Sequence, residues 1–186
     1  MSNEIFSGLD WFPTLLAAAG GTTIKGDLLK GTQIGGKTFK VHLDGYNELP
    51  YLTGQKPHAD RHEFYYFNDD GALVAVRFGD WKLNFCEQRQ PGEFDIWANP
   101  FTCLRVPRMF NLRMDPYEHG QISGSGYDQW RVENAYLVFQ GTAKAAEFLQ
   151  TFIEYPPSQE APSFSIDEIE RDVEQKIREN AAKAKQ

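Results

Sequence analysis

His58 and His62 form an H-x-x-x-H pair, a spacing that on one helix face can hold a metal ion. Pro57 precedes the first histidine and no glutamate follows it, so an exposed polar loop over 56–62 is predicted. Asp69 and Asp70 offer adjacent carboxylates to a cation. They stand in N-D-D-G between two strand-like runs, where Asn, Asp and Gly serve a turn. Cys103 in C-L-R-V-P-R has arginines nearby, which favour a thiolate. No histidine lies within ten residues on either side, and a buried or incidental cysteine is the plainer reading. Lys82 in G-D-W-K-L-N-F could act as an active-site cation. Strand alternation turns Trp81, Leu83 and Phe85 the other way, so Lys82 is predicted to point to solvent. Glu118 and His119 could act as an acid–base pair, but D-P-Y-E-H-G reads as a loop that turns the chain. No phosphate-cradling glycine loop, nucleophile elbow or Cys/His metal cluster occurs. None of these groups completes a catalytic constellation.

The elements that would position them follow from periodicity. Residues 8–21, GLDWFPTLLAAAGG, read as a short helix over 10–19 with Asp10 as N-cap, Pro13 in the first turn and Gly20-Gly21 at the C-cap. Apolar residues cover most of its circumference, the mark of a buried helix. A helical turn is predicted at 27–30, a strand over 38–43, and a turn with a short helix over 44–55. EFYYF (63–67), ALVAVRF (72–78), WKLNFCE (81–87) and EFDIWAN (93–99) are strand candidates separated by turn chemistry. Connections this short force antiparallel neighbours, so a four-stranded meander is predicted, with Gly79-Asp80 as a two-residue hairpin loop. One more strand is read around 108–112. Helical periodicity runs over 128–139 and 142–153, with Gly141 breaking or bending the pair and Thr142 recapping it. Residues 154–164 are a Pro-rich linker. The tail is a helix capped by Ser165 and Glu168, with a thin stripe of Ile166, Ile169, Val173 and Ile177, fraying beyond Asn180.

The chain has 186 residues, 41% hydrophobic, and 19 basic against 26 acidic side chains for a net charge of −7. That length buries a real core. The negative balance argues against nucleic-acid binding, which needs clustered Lys and Arg. No apolar run approaches the roughly 20 residues that span a bilayer. The opening MSNEIFSG has neither a basic n-region nor an apolar h-region, so no signal peptide is read there. The two cysteines, Cys86 and Cys103, could pair or stay as thiols. Free thiols are expected, since disulfides are rare outside oxidising compartments.

Several strings occur together in order. SGLDWFPTLLAAAG resembles the type I sulfatase segment S-x-x-D-x-x-P-T-L-L-x-x-A-G. LDGYNELPYLTGQ resembles the L-D-G stretch that follows it. RHEFYYFND carries the family's paired aromatics, LVAVRFGDWKLNF its A-x-R-x-G-x-W-K hairpin, and RMFNLRMDPYEHGQ its strand and D-P-x-E turn. WANPFTCLRVPRMFNLRMDPYE looks most like bacterial arylsulfatase-type members. The resemblance spans about 7–121 and extends in subgroup pattern to about 172.

This resemblance implies the C-terminal part of such an enzyme. The fold is then α+β, a four-stranded antiparallel sheet packed with helices, forming the C-terminal subdomain of a sulfatase-like α/β fold. Residues 1–36 are a segment carried over from the large domain, 37–155 the antiparallel-sheet subdomain, and 156–186 the linker and C-terminal helix. The family's formylglycine arises in C/S-x-P-x-R, which is absent, and C-L-R-V-P-R has its proline in the wrong place. Calcium ligands and sulfate-holding residues belong to upstream sequence in the family, so no cofactor is expected on this chain, although calcium and formylglycine are implied for the complete enzyme. The expected partner is an N-terminal catalytic sulfatase domain. Without its sheet, the 10–19 helix must dock on the small domain, pair with another copy, or stay exposed. Each buried Trp, Phe or Leu would contribute roughly 1.5–3 kcal/mol. Phe101, Thr102 and Arg105 are the expected pocket wall, against a plainer reading as sheet-edge packing. Two alternatives stand beside this: a non-catalytic interaction or oligomerisation module working through the opening helix or the helical end, and a self-contained enzyme with an unfamiliar site.

Overall fold

A computed structural model describes residues 2–157 and 166–183. A 3-10 turn at Gly8–Asp10 leads into α1 (Trp11–Ala18). Then come α2 (Ile24–Lys30), the small antiparallel hairpin β1 (Thr32–Ile34) and β2 (Lys37–Phe39), and the single turn α3 (Leu49–Leu52). The main sheet contains β3 (Glu63–Phe67), β4 (Leu73–Phe78) and β5 (Trp81–Glu87). The short helix α4 (Asp95–Ala98) separates β5 from β6 (Thr102–Asn111). After it come α5 (Gly120–Ser123), α6 (Tyr127–Glu133), α7 (Tyr136–Glu154) and α8 (Ile166–Lys183).

The strand order β3-β4-β5-β6 is the predicted antiparallel meander, and the α+β class stands. Gly79 lies at φ 55° in the two-residue loop between β4 and β5, the conformation that such a hairpin requires of its first residue. The fourth strand is not 93–99. Gly92 at φ 151° and Glu93 at φ 63° turn the chain away, and the amides of Ile96, Trp97 and Asn99 bond back three or four residues into α4. The partner of β5 is β6, which begins well before the expected 108. The predicted 38–43 strand ends at Phe39. Residues beyond it turn their backbone groups elsewhere: Val41 N–H donates to Leu28 O at 3.1 Å, and Gly45 O accepts from Lys25 Nζ at 3.2 Å.

One face of the sheet carries the core. Val76, Phe78, Leu83 and Met109 pack with Leu137 of α7, flanked by Tyr65, Trp81, Phe85 and Trp130. Leu137, Gly141 and Ala145 form the buried line of α7, at the four-residue spacing of one helix face. Gly141 does not break the helix, which starts at Tyr136 and runs through it. A Cβ at Gly141 would sit 2.2 Å from Leu83 Cδ1, so the glycine lets the helix backbone approach the sheet. Farther along α7, Phe148 stacks on Tyr65 at 4.0 Å.

The expected free thiols are corrected. Cys86 and Cys103 are joined in a disulfide and face each other in the β5–β6 register. The β6 register that brings them opposite depends on an irregularity between Asn84 and Cys86, which chain spacing does not reveal. The Ser165–Glu168 cap and the linker beyond 157 lie outside the described residues. The helix of the tail extends past Asn180, to Lys183.

Candidate functional site

Asp10 stands at the N-cap of α1, as expected, but its side chain makes no cap hydrogen bond to that helix. Ser7 caps the 3-10 turn before it, accepting from Leu9 N–H at 3.2 Å, while the Asp10 carboxylate reaches back to Ser7 N–H at 2.8 Å. The rest of that carboxylate is buried against residues far along the chain. Arg61 Nε and Nη2 donate to its two oxygens at 2.8 and 2.6 Å, and Tyr46 N–H donates at 2.8 Å. Arg61 also donates to the carbonyls of Asp44 and Glu63. Glu48, equally buried, accepts from the amides of Asp60 and Arg61 at 3.0 and 3.1 Å. Thr14 on α1 completes the set: its hydroxyl donates to Tyr46 O at 3.3 Å and accepts from Glu48 N–H at 2.9 Å.

Burial alone would raise the Asp10 carboxyl. The hydrogen bonds from Arg61, Tyr46 and Ser7, with the Arg61 charge, outweigh it and hold the group below its ordinary value. Burial likewise pulls Arg61 down, and its bonds to Asp10 more than restore it. Such a pair, fully hydrogen-bonded, fixes one geometry, and removing either partner leaves an uncompensated buried charge. Residues 7–14 are thereby stapled to residues 44–63.

The staple uses the inner side of α1, where Pro13, Thr14 and Ala17 are buried. The outer side is apolar and uncovered: Trp11 is 50% exposed, Phe12 55% and Leu15 61%. Phe6 packs edge-on against Trp11 at 4.9 Å and joins the patch. The all-round apolar pattern that predicted a buried helix is thus half unfulfilled. Its small and polar face is buried within the chain, and its large apolar face is not.

On the opposite face of the sheet from the core, Lys82 corrects the solvent-facing expectation. Its Nζ lies 2.5 Å from Glu118 Oε1 and 4.8 Å from the Tyr66 ring centre. Asn84 Nδ2 donates to Glu118 Oε2 at 3.1 Å. Glu118 holds this position at φ 56°, so the D-P-Y-E turn folds back as a lid on β5. His119 does not join it; its ring lies beside Tyr117. His58 is exposed and bonded to Glu4 at 3.1 Å, without His62. Asp69 and Asp70 sit in the β3–β4 turn, where Asn68 Oδ1 accepts from Ala72 N–H. Phe101 and Thr102 lie half-buried at the start of β6, Thr102 opposite Glu87, and Arg105 is exposed on the bulged part of that strand.

A cavity of about 470 Å³ opens between β3, α7 and residues 42–46. Several of its ionisable groups are engaged with one another: Tyr46 Oη donates to Glu63 at 3.2 Å, His42 Nδ1 meets Asp44 at 2.8 Å, and Lys144 lies 3.8 Å from Glu63. Burial, then the Glu63 charge, pushes the Tyr65 hydroxyl up to about 12. Such paired groups position backbone and neither supply a nucleophile with its base nor gather metal ligands. Among the described residues, no three of His, Cys, Asp and Glu come together as a cation site. The described residues thus do not fit calcium, and C/S-x-P-x-R, which formylglycine needs, is absent from the sequence. Among the described residues no helix is long and apolar enough to cross a membrane.

The staple escaped sequence reading because its partners are 51 residues apart. S-x-x-D at 7–10 was its one local signal, a capping box one turn earlier than the expected cap.

A family model described as the C-terminal region of aryl-sulfatase matches residues 60–171. Among solved structures, the chain is similar to the PsFucS1 sulfatase from Pseudoalteromonas sp., at 23% identity and a TM-score of 0.48. That match covers 64% of this chain and 23% of the other.

Proposed function

The chain belongs to the aryl-sulfatase C-terminal family, whose model spans more than half of it, and from that premise we propose that it is the supporting end of a sulfatase. It does not turn over substrate alone. In the complete enzyme, sulfate esters are hydrolysed by groups that lie in an N-terminal catalytic domain, where calcium and formylglycine act. One observation carries this reading: the outer face of α1, with Trp11, Phe12 and Leu15 uncovered, fits docking on a neighbouring apolar surface. The staple beneath it holds that face in one orientation. Residues 1–36 then belong with the large domain, 37–155 form the sheet subdomain, and 156–186 are linker and C-terminal helix. Phe101, Thr102 and Arg105 form part of the pocket wall, a role supported by their place at the start of the edge strand β6.

The test is an aryl sulfate assay with added calcium on this chain alone. No turnover is expected, and clear activity would overturn the proposal. A second reading, an assembly module, is favoured by the exposed stripe Ile166, Ile169, Val173 and Ile177 of α8. Removing 156–186 and measuring mass by light scattering separates the two. Fewer chains per particle would favour assembly through this helix, and an unchanged number the docking role of α1.

A further inference from the structure

The disulfide lies where the sheet has least else to hold it. β5 and β6 pair from Trp81↔Asn111 to Asn84↔Arg108, and resume at Cys86↔Cys103 and Glu87↔Thr102. Between these stretches, residues 104–107 of β6 stand against Phe85 alone. Two register pairs remain beyond this bulge, and one of them is the cysteine pair. Residues 88–101 then leave the sheet altogether and carry α4, with Phe94 82% and Trp97 75% exposed. Within this excursion the Gln88 amide donates to the carbonyls of Ile96 and Asn99 at 3.1 and 2.9 Å. Across the bulge, Arg108 Nε meets Glu87 Oε2 at 2.9 Å. An isolated two-pair ladder is marginal on its own, and a loop of this size is costly to close without a crosslink.

We infer that Cys86–Cys103 is an oxidation-dependent fastener that closes the 88–101 excursion, and that the chain acquires it in an oxidising compartment. Disulfides persist there and are rare where thiols are kept reduced. Its formation balances as thiol–disulfide exchange with a disulfide donor. One cysteine loses its proton and its thiolate attacks a donor sulfur, releasing one donor thiolate and leaving a mixed disulfide. The other cysteine's thiolate then attacks the first cysteine's sulfur and expels the second donor thiolate. The two cysteines lose two protons and two electrons, and the donor is reduced to two thiols. The excursion is thereby presented as a closed, preformed loop with its aromatic side chains outward, while the Leu83–Met109 core lies on the other side of the bulge and does not depend on the bond.

The experiment uses the whole chain isolated from an oxidising compartment. In denaturant without reductant it should expose no free thiol, and two after reduction. In the native protein, reduction should speed amide exchange by on the order of tenfold at whichever of the two adjacent pairs Cys86–Cys103 and Glu87–Thr102 is bonded across the ladder. Val76, Leu83 and Met109 should exchange as before. The double variant C86S/C103S should keep the near-ultraviolet signal of Trp81 and Trp130 and exchange at the reduced rate. Two free thiols before reduction, unchanged exchange at that bonded pair, or loss of the core signal on reduction would each overturn the proposal.

Discussion

The helices α1 and α7 both carry apolar side chains that the sequence announces, yet they use their faces oppositely. α7 turns Leu137, Gly141 and Ala145 onto β4 and β5, and its large apolar neighbour Phe148 closes on Tyr65. α1 turns Pro13, Thr14 and Ala17 inward and leaves Trp11, Phe12 and Leu15 outward. The first is held by apolar contact and close approach. The second is held by a buried carboxylate, a guanidinium and a threonine hydroxyl. A helix fixed by hydrogen bonds on its small face keeps its large apolar face free for another surface. Oil-like burial of that face would have made the polar staple unnecessary.

The contrast breaks most severely at Arg61. Arg61→Ala leaves Asp10 buried without its cation and should cost about 3–5 kcal/mol, read by denaturant unfolding. Next comes Leu137→Ala on the inward face of α7, expected to cost about 2–5 kcal/mol in the same assay.

Acid sharpens the contrast. The Asp10 value is depressed in the folded state, so its stabilisation is fully present above the ordinary aspartate value of about 3.9. It is lost as pH falls through the lower folded value. Unfolding midpoints should therefore drop on acidification, and Asp10→Asn should flatten that part of the profile. The smallest effect belongs to Leu15→Ser on the outer face of α1. Stability should change by no more than about 0.5 kcal/mol, while the soluble monomer fraction rises, since the residue already meets water.

The sheet was legible because EFYYF, LVAVRF and WKLNFCE alternate or run apolar between strong turn residues, and Gly79-Asp80 leaves room for one kind of hairpin only. EFDIWAN misled because its aromatics suit a strand equally well. The strand that pairs β5 begins beyond it, and Phe94 and Trp97 stay in water. Gly141 reads as a break or bend because glycine disfavours helices. The helix tolerates it because Leu83 needs the space. At the candidate surface, the apolar residues of α1 were visible and their direction was not, since that direction depends on Asp10 meeting Arg61 across 51 positions. Alternation alone points Lys82 to solvent. Alternation did put it on the face away from the core, but Glu118 returns from the D-P-Y-E turn to cover it.

Hydroxyl-radical footprinting tests the docking role of α1 most directly. Trp11, Phe12 and Leu15 should be modified readily in this chain alone. They should be protected several-fold when the same residues are part of a longer sulfatase chain with its catalytic domain, with Leu137 protected in both. Equal modification of the three residues in both proteins would contradict the claim that this helix faces a partner surface.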